Sequence, residues 1–160
     1  MELAIQMGLQ GAGKSTFARE RFGDYEYVSK DRMPRSARHK EARQRRMIAE
    51  ALAAGRSVVV DNTNPAPAER APLIELGRQY GALVTGYYFV PDVRGSLARN
   101  ATRAGSERVP PVAIYATAKR LTAPTYAEGY DALYAVRIAE EGGFAVTAMP
   151  RPPAEEPPTS

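Results

Sequence analysis

The sequence predicts an α/β domain: a central, largely parallel sheet with helices on both faces. Three observations carry this. Short apolar runs alternate with longer amphipathic stretches, as expected of successive βαβ units. The chain has 160 residues, 44% of them hydrophobic, which suits one domain with a well-filled core. The first apolar run also closes on a glycine-rich turn, GLQGAGKST at 8–16, that opens directly into a helical pattern.

The elements follow in order. LAIQMG (3–8) is an apolar run closed by glycine, a strand. GKSTFARERF (13–22) is helical, with Phe17 and Phe22 among polar residues. YEYVS (25–29) alternates and is β-prone. A long helix is expected over 36–54, with Met47, Ile48 and Leu52 as its apolar side and Gly55 as its stop. SVVVD (57–61) is a strand. The segment 65–81 opens on proline and closes on glycine, the asymmetry of a helix, and Pro72 inside it is expected to bend or restart it. ALVTGYYFV (82–90) is a strand, 91–105 a helix with a basic far end, and 110–121 a helix with prolines at its start. FAVTAM (144–149) is expected to be a last edge strand. The tail 150–160 holds five prolines and no large apolar residue, and it reads as disordered.

Composition excludes some classes. No run of about 18 apolar residues exists, so no membrane-spanning helix is expected. The first residues lack the basic flank of a secretory signal. Cysteine is absent, which removes disulfides and thiolate metal sites and fits a cytoplasmic location. Net charge is +4, and the excess is concentrated: Lys30 to Arg46 holds eight Lys or Arg against two acids. Such a segment suits a phosphate backbone or a solvated helix face. His39, the sole histidine, lies inside this run and is given no catalytic role.

Residues 8–16 fit G-x-x-x-x-G-K-[ST], the phosphate loop. Its chemistry explains its residue types. Gly8, Gly11, Ala12 and Gly13 let the backbone curve so that N–H groups surround phosphate oxygens, and Thr16 lies in the first turn of the helix that follows. That helix adds its positive end. Lys14 supplies charge at the β- and γ-phosphates, and Ser15 supplies a hydroxyl for Mg²⁺. In a sheet of this kind ligands bind beyond the carboxyl ends of the strands, where Asp31 and Asp61 also stand. Asp61 is therefore expected to face the phosphate and metal region. Asn62 and Asn64 either join it or, for Asn64, cap the next helix. Asp31 is placed to accept a proton from an attacking hydroxyl, or else to pair with Arg32 or Arg35. Arg99 and Arg103, four apart, share a helix face suited to phosphate oxygens, with Arg108 nearby. Tyr25, Tyr27, Tyr87 and Tyr88 read as core, whereas Tyr115, Tyr126 and Tyr130 are candidates to stack on bases.

GLQGAGKST, VSKDRM, AGRSVVVDNTNP, YYF, ARNATR and YAEGYDALYAV together resemble the P-loop 5′-hydroxyl polynucleotide kinases, above all their small bacterial AAA-type relatives. The resemblance spans residues 3 to 138. It implies a three-layer P-loop kinase fold over 1–149 with a helical lid at about 92–121. It implies ATP or another NTP with Mg²⁺ as cofactors, held by Lys14 and Ser15, and lid arginines at Arg99 and Arg103 over the transferred group. Asp31 becomes the base for the accepting 5′-OH, and Asp61 and Asn64 match the polar end of the third strand. The pattern departs at Pro34, where the larger kinases carry an arginine that holds the acceptor's 3′-phosphate. Arg35, Arg38 and Arg32 lie close by for acceptor binding. The expected activity is phosphoryl transfer from ATP to a hydroxyl, foremost the 5′-OH of DNA or RNA. The alternatives are a small-molecule kinase on the same fold and a non-kinase ATP-binding switch.

Overall fold

In the computed structural model, which describes residues 1–34 and 36–153, six strands form one sheet in the order β2-β3-β1-β4-β5-β6. They are β1 (Glu2–Met7), β2 (Glu26–Val28), β3 (Val58–Asp61), β4 (Leu83–Phe89), β5 (Ala132–Ile138) and β6 (Phe144–Ala148). The first five run parallel to their neighbours, and β6 runs antiparallel along β5. The helices are α1 (Lys14–Arg21), α2 (Lys40–Ala53), α3 (Pro67–Gln79), α4 (Val93–Ala101) and α5 (Pro111–Arg120), with 3₁₀ turns at Lys30–Arg32, Gly105–Glu107 and Tyr126–Glu128. No helix among the described residues is long and apolar enough to cross a membrane.

Strand alternation builds a core on each face. Leu3, Ile5 and Met7 of β1 pack with Ile48 and Leu52 of α2 and with Leu73 and Ile74 of α3. Ala4 points the other way, into an aromatic layer around Phe17 and Phe22. Phe17 meets Phe89 and Phe144 edge-on, at ring separations of 5.3 and 5.1 Å. The strands are buried on both sides, which is why VVV reads as a continuous apolar run rather than as alternation.

Four local expectations are corrected. Helix α2 starts at Lys40 rather than 36, because His39 takes a left-handed φ of 56° at the N-cap. Pro72 lies inside α3, which runs on through it without restarting: Ala68, whose carbonyl loses its partner, is exposed, as is Pro72, so water can satisfy it. Helix α4 ends at Ala101, short of 105. Strand β5 has no counterpart in the sequence reading. The tail expectation falls largely outside the description: 150–153 form no regular structure, and 154–160 lie outside the described residues.

Topology fixes where a site can form. Strand β1 sits between β3 and β4, and the chain leaves it first toward the β3 side and later crosses to the β4 side. That reversal opens a crevice at the carboxyl end of β1, where residues 8–16 lie.

Candidate active site

The loop after β1 owes its shape to two kinds of glycine. Gly11 and Gly13 take φ of 75° and 89°, the left-handed region where a side chain is strained. Gly8 is needed for space: a Cβ there would lie 2.7 Å from that of Phe89 on β4. At Gly11 both reasons apply, since a Cβ would also meet the Ser96 carbonyl at 2.6 Å. The loop is tied across the sheet by Gly8 N–H, which donates to the Thr63 carbonyl at 3.0 Å. Helix α1 then starts at Lys14 with no side-chain cap, so its first N–H groups point into the loop unclaimed by a capping side chain. Ala12 is buried, while Thr16 sits exposed on the first turn of α1.

Lys14 turns back into this cradle. Its Nζ donates to the carbonyls of Gly8 at 3.0 Å and Leu9 at 2.7 Å, and the residue is only 8% exposed. Burial pulls its pKa down to about 8; Asp61 and Asp31 oppose that shift and Arg103 adds to it. The three charges predicted around the phosphates are therefore near Lys14 in space.

Asp61 ends β3 and is buried. Its Oδ2 accepts from Ser15 Oγ at 2.8 Å and from the Tyr27 hydroxyl. Burial, and then Asp61, push the Tyr27 phenol up to about 12. Ser15 and Asp61 present hard oxygen donors side by side, a set that fits Mg²⁺ shared with phosphate oxygens.

Asp31 lies on the 3₁₀ turn directly after β2, exposed to solvent. The turn is held firmly. Ser29 Oγ accepts from Asp31 N–H, and Asn62 Oδ1 accepts from Lys30 N–H at 2.9 Å. Asn62 Nδ2 donates onward to Gln44 of α2. Asn64 braces the other side: with φ of 42°, it donates from Nδ2 to the Gln6 carbonyl at 2.8 Å. It does not cap α3, whose N-cap is Ala66. The acid at the end of β3 thus faces the site, while the amides beside it tie the loop after β3 to the turn after β2, to α2 and to β1.

Arg99 reaches the loop from α4, its Nε donating to the Gly11 carbonyl, and lines a cleft with Ala12, Phe89, Pro91, Ser96 and Arg137. Arg103 lies beyond the end of α4 at Ala101, half-buried, so it does not share a helix face with Arg99 as the spacing suggested; its guanidinium donates to the Glu107 carbonyl instead. Helices α4 and α5 pack on each other, and Gln10 of the loop donates to Thr117 of α5 at 3.0 Å. Arg38 is exposed in the segment before α2, and Arg35 lies outside the described residues. Two tyrosines offered for base stacking are otherwise engaged. Tyr130 is buried in the core, and the Tyr126 hydroxyl bridges Met149 and Leu133. Tyr115 is exposed on α5.

Two residues escaped the sequence reading. Tyr27 looked like core but stands at the site; its position two residues after Tyr25 gave only strand parity. Arg70 is fully buried, donating to the carbonyls of Asn64, Pro65 and Thr122 and pairing with Glu128. It joins the loop after Asp61 to the root of α5, and no pattern in the sequence marks it.

A family model described as AAA domain, AAA_33, matches residues 3–124. The chain belongs to this AAA-domain family. Solved structures show the same fold. A gluconokinase from Sinorhizobium meliloti 1021 is similar with TM-score 0.61 and 19% identity, over 87% of this chain and 83% of that one. A fungal RNA kinase aligns with TM-score 0.67 and 15% identity, over 87% of this chain and 39% of that one. Kti12 from Chaetomium thermophilum, in complex with ADP-AlF3, aligns with TM-score 0.62 and 19% identity, over 84% and 88%. At these identities the likeness establishes the P-loop kinase fold of this AAA-domain chain, and nothing finer.

Proposed function

We propose that this AAA-domain protein is an ATP-dependent kinase that moves the γ-phosphoryl group to a hydroxyl, foremost the 5′-OH end of a DNA or RNA strand. One observation carries the transfer. Asp31 is an exposed carboxylate with no side-chain partner among the described residues, on a turn that Asn62, the neighbour of Asp61, ties to the end of β3. A protein that only bound nucleotide has no use for a free base beside the phosphate loop.

The roles follow from position. Backbone N–H groups of 8–16 hold the phosphates, and Lys14 exchanges the Gly8 and Leu9 carbonyls for phosphate oxygens. Ser15 and Asp61 would hold Mg²⁺, which supplies charge neutralisation on the β- and γ-phosphates. Helices α4 and α5 serve as the lid of a single domain, with Arg99 and Arg103 turned to the nucleotide. Asp31 orients the accepting hydroxyl and takes its proton. The hydroxyl oxygen bonds to the γ-phosphorus as the bond to the β,γ-bridging oxygen breaks, and ADP leaves. The polynucleotide acceptor is supported by the combination of DNTNP, VSKDRM and RNATR and by the arginines of 30–46.

A second acceptor class has its own support. Pro34 stands where polynucleotide kinases carry an arginine, and the fold is shared with a gluconokinase as well as with an RNA kinase. Transfer of labelled γ-phosphate to 5′-OH oligonucleotides, DNA and RNA, and to gluconate separates the two. Label on oligonucleotide ends that disappears in Lys14→Ala and Asp31→Ala supports the first. Label on gluconate alone moves the protein to the second.

A further inference from the structure

We propose that Tyr27 is a positioning residue serving both halves of the site through different atoms. Its hydroxyl orients the Asp61 carboxylate, and its ring holds the Arg32 guanidinium as the group that grips an oxyanion on the acceptor. This rests on the phosphotransfer assignment above.

Tyr27 sits half-buried on β2, between the phosphate loop and the turn that carries Asp31. Its hydroxyl donates to Asp61 Oδ2, the oxygen that Ser15 also uses. Arg32 lies across the ring, its guanidinium carbon 4.1 Å from the ring centre. That is stacking distance for a delocalised cation on a π-face. The neighbouring Lys30 is paired with Glu41, whereas Arg32 has no carboxylate partner among the described residues. Contact with a ring face does not use up the guanidinium's N–H groups, which match two oxygens of a phosphate or carboxylate. Stacking also removes most of the rotamer freedom that binding would otherwise cost. Arg32 directly follows Asp31, so an oxyanion held there lies beside the accepting hydroxyl. A phosphate of a nucleotide and the carboxylate of a sugar acid share this chemistry.

Tyr27→Phe, Tyr27→Leu and Arg32→Ala separate the two jobs by calorimetry. One titration measures ADP with and without Mg²⁺. The other measures a nucleoside 3′-monophosphate, its phosphate-free nucleoside, and gluconate against protein saturated with ADP and Mg²⁺. Arg32→Ala and Tyr27→Leu are expected to weaken binding of the oxyanion probe about tenfold or more, while Tyr27→Phe, which keeps the ring, stays within about twofold. Both Tyr27 variants are expected to lose about threefold or more of the Mg²⁺ enhancement of ADP binding, and Arg32→Ala none of it. Which probe binds names the source of the oxyanion. The proposal is overturned if Arg32→Ala binds the probe like wild type, if Tyr27→Phe loses as much oxyanion affinity as Tyr27→Leu, or if neither probe binds wild type. Splits that hold in a protein transferring no phosphoryl group support both contacts and count against the transfer assignment alone.

Discussion

The phosphate loop is shaped by its backbone, and the turn after β2, the acceptor side in the proposed reaction, by side chains. Residues 8–16 hold their shape through two left-handed glycines, one close-packed glycine and a helix start, with Lys14 folded onto the loop's own carbonyls. The described residues of 29–34 have none of this. A short 3₁₀ turn carries Asp31 and Arg32, and it is kept in place by Ser29, by Asn62 just after β3 and, through Asn62, by Gln44 from α2. The first arrangement suits a ligand part that never varies, a chain of phosphates. The second is set by individual side chains, each of which can be altered alone. Mutations should therefore separate cleanly: donor-side changes should alter nucleotide affinity, and acceptor-side changes should alter transfer.

The largest expected effect tests that separation directly. Asp31→Asn keeps shape but removes the base, so kcat should fall by about 10²–10⁴-fold. ADP affinity should stay within about twofold, because Asp31 touches no loop atom and acts on Lys14 only through space. Equal losses in both measurements would break the comparison. The next effect comes from Gly11→Ala. Strain at positive φ costs about 1–3 kcal/mol, and the Ser96 carbonyl blocks the new methyl at 2.6 Å. ADP should bind roughly 10–100-fold more weakly. Gly55→Ala is the control: φ is also positive, at 76°, but nothing lies within 4 Å, so only stability should drop.

The same division decides how much was legible in advance. The phosphate loop was readable because backbone geometry demands particular residues at particular spacings: Gly11, Gly13, Lys14 and Ser15 are dictated locally. Asp61 and Asp31 were readable because strand ends face the crevice in a parallel sheet, a rule needing only strand boundaries. Tyr27 was not, since a tyrosine in a strand looks the same whether its hydroxyl meets solvent or a carboxylate 34 residues away. Arg70 was hidden for the same reason, its partners lying as far off as Thr122 and Glu128. Strand β5 failed locally: ALYAVRI buries only Leu133 and Val136, and its identity depends on β4 and β6 flanking it. Asn64 was half read, its polar type noticed and its partner, a carbonyl of β1, left out of reach.

Asn62 sharpens the comparison at smaller scale. It is buried, and both ends of its amide are used, one on Lys30 N–H and one on Gln44. Asn62→Ala strands the Lys30 N–H and the Gln44 oxygen, costing about 1–3 kcal/mol. Thermal unfolding should fall by roughly 2–12 °C. The surviving folded protein should transfer poorly, because the turn under Asp31 is loosened, yet bind ADP normally. A matched drop in ADP affinity would mean that the turn and the loop move as one body.

The smallest effect is a proton. Burial pulls the Lys14 pKa from its ordinary 10.5 down to about 8. For folding the sign is this: between those two values the unfolded chain keeps a proton that the folded chain has released. Stability from this group is therefore lowest below about 8 and rises with pH through that window. For binding the sign reverses. Phosphate oxygens replace the Gly8 and Leu9 carbonyls and favour the charged ammonium, so ADP binding takes up a proton once pH exceeds about 8. Calorimetry at pH 8.5 in two buffers of different ionisation enthalpy should show uptake of a fraction of a proton, close to zero at pH 7 and absent in Lys14→Met. Affinity should weaken only gently over this range. Uptake that is missing in wild type would mean that Lys14 is already fully charged without phosphate. Asp61 and Asp31 would then outweigh burial, and the donor side would depend on side-chain charge as much as on its backbone.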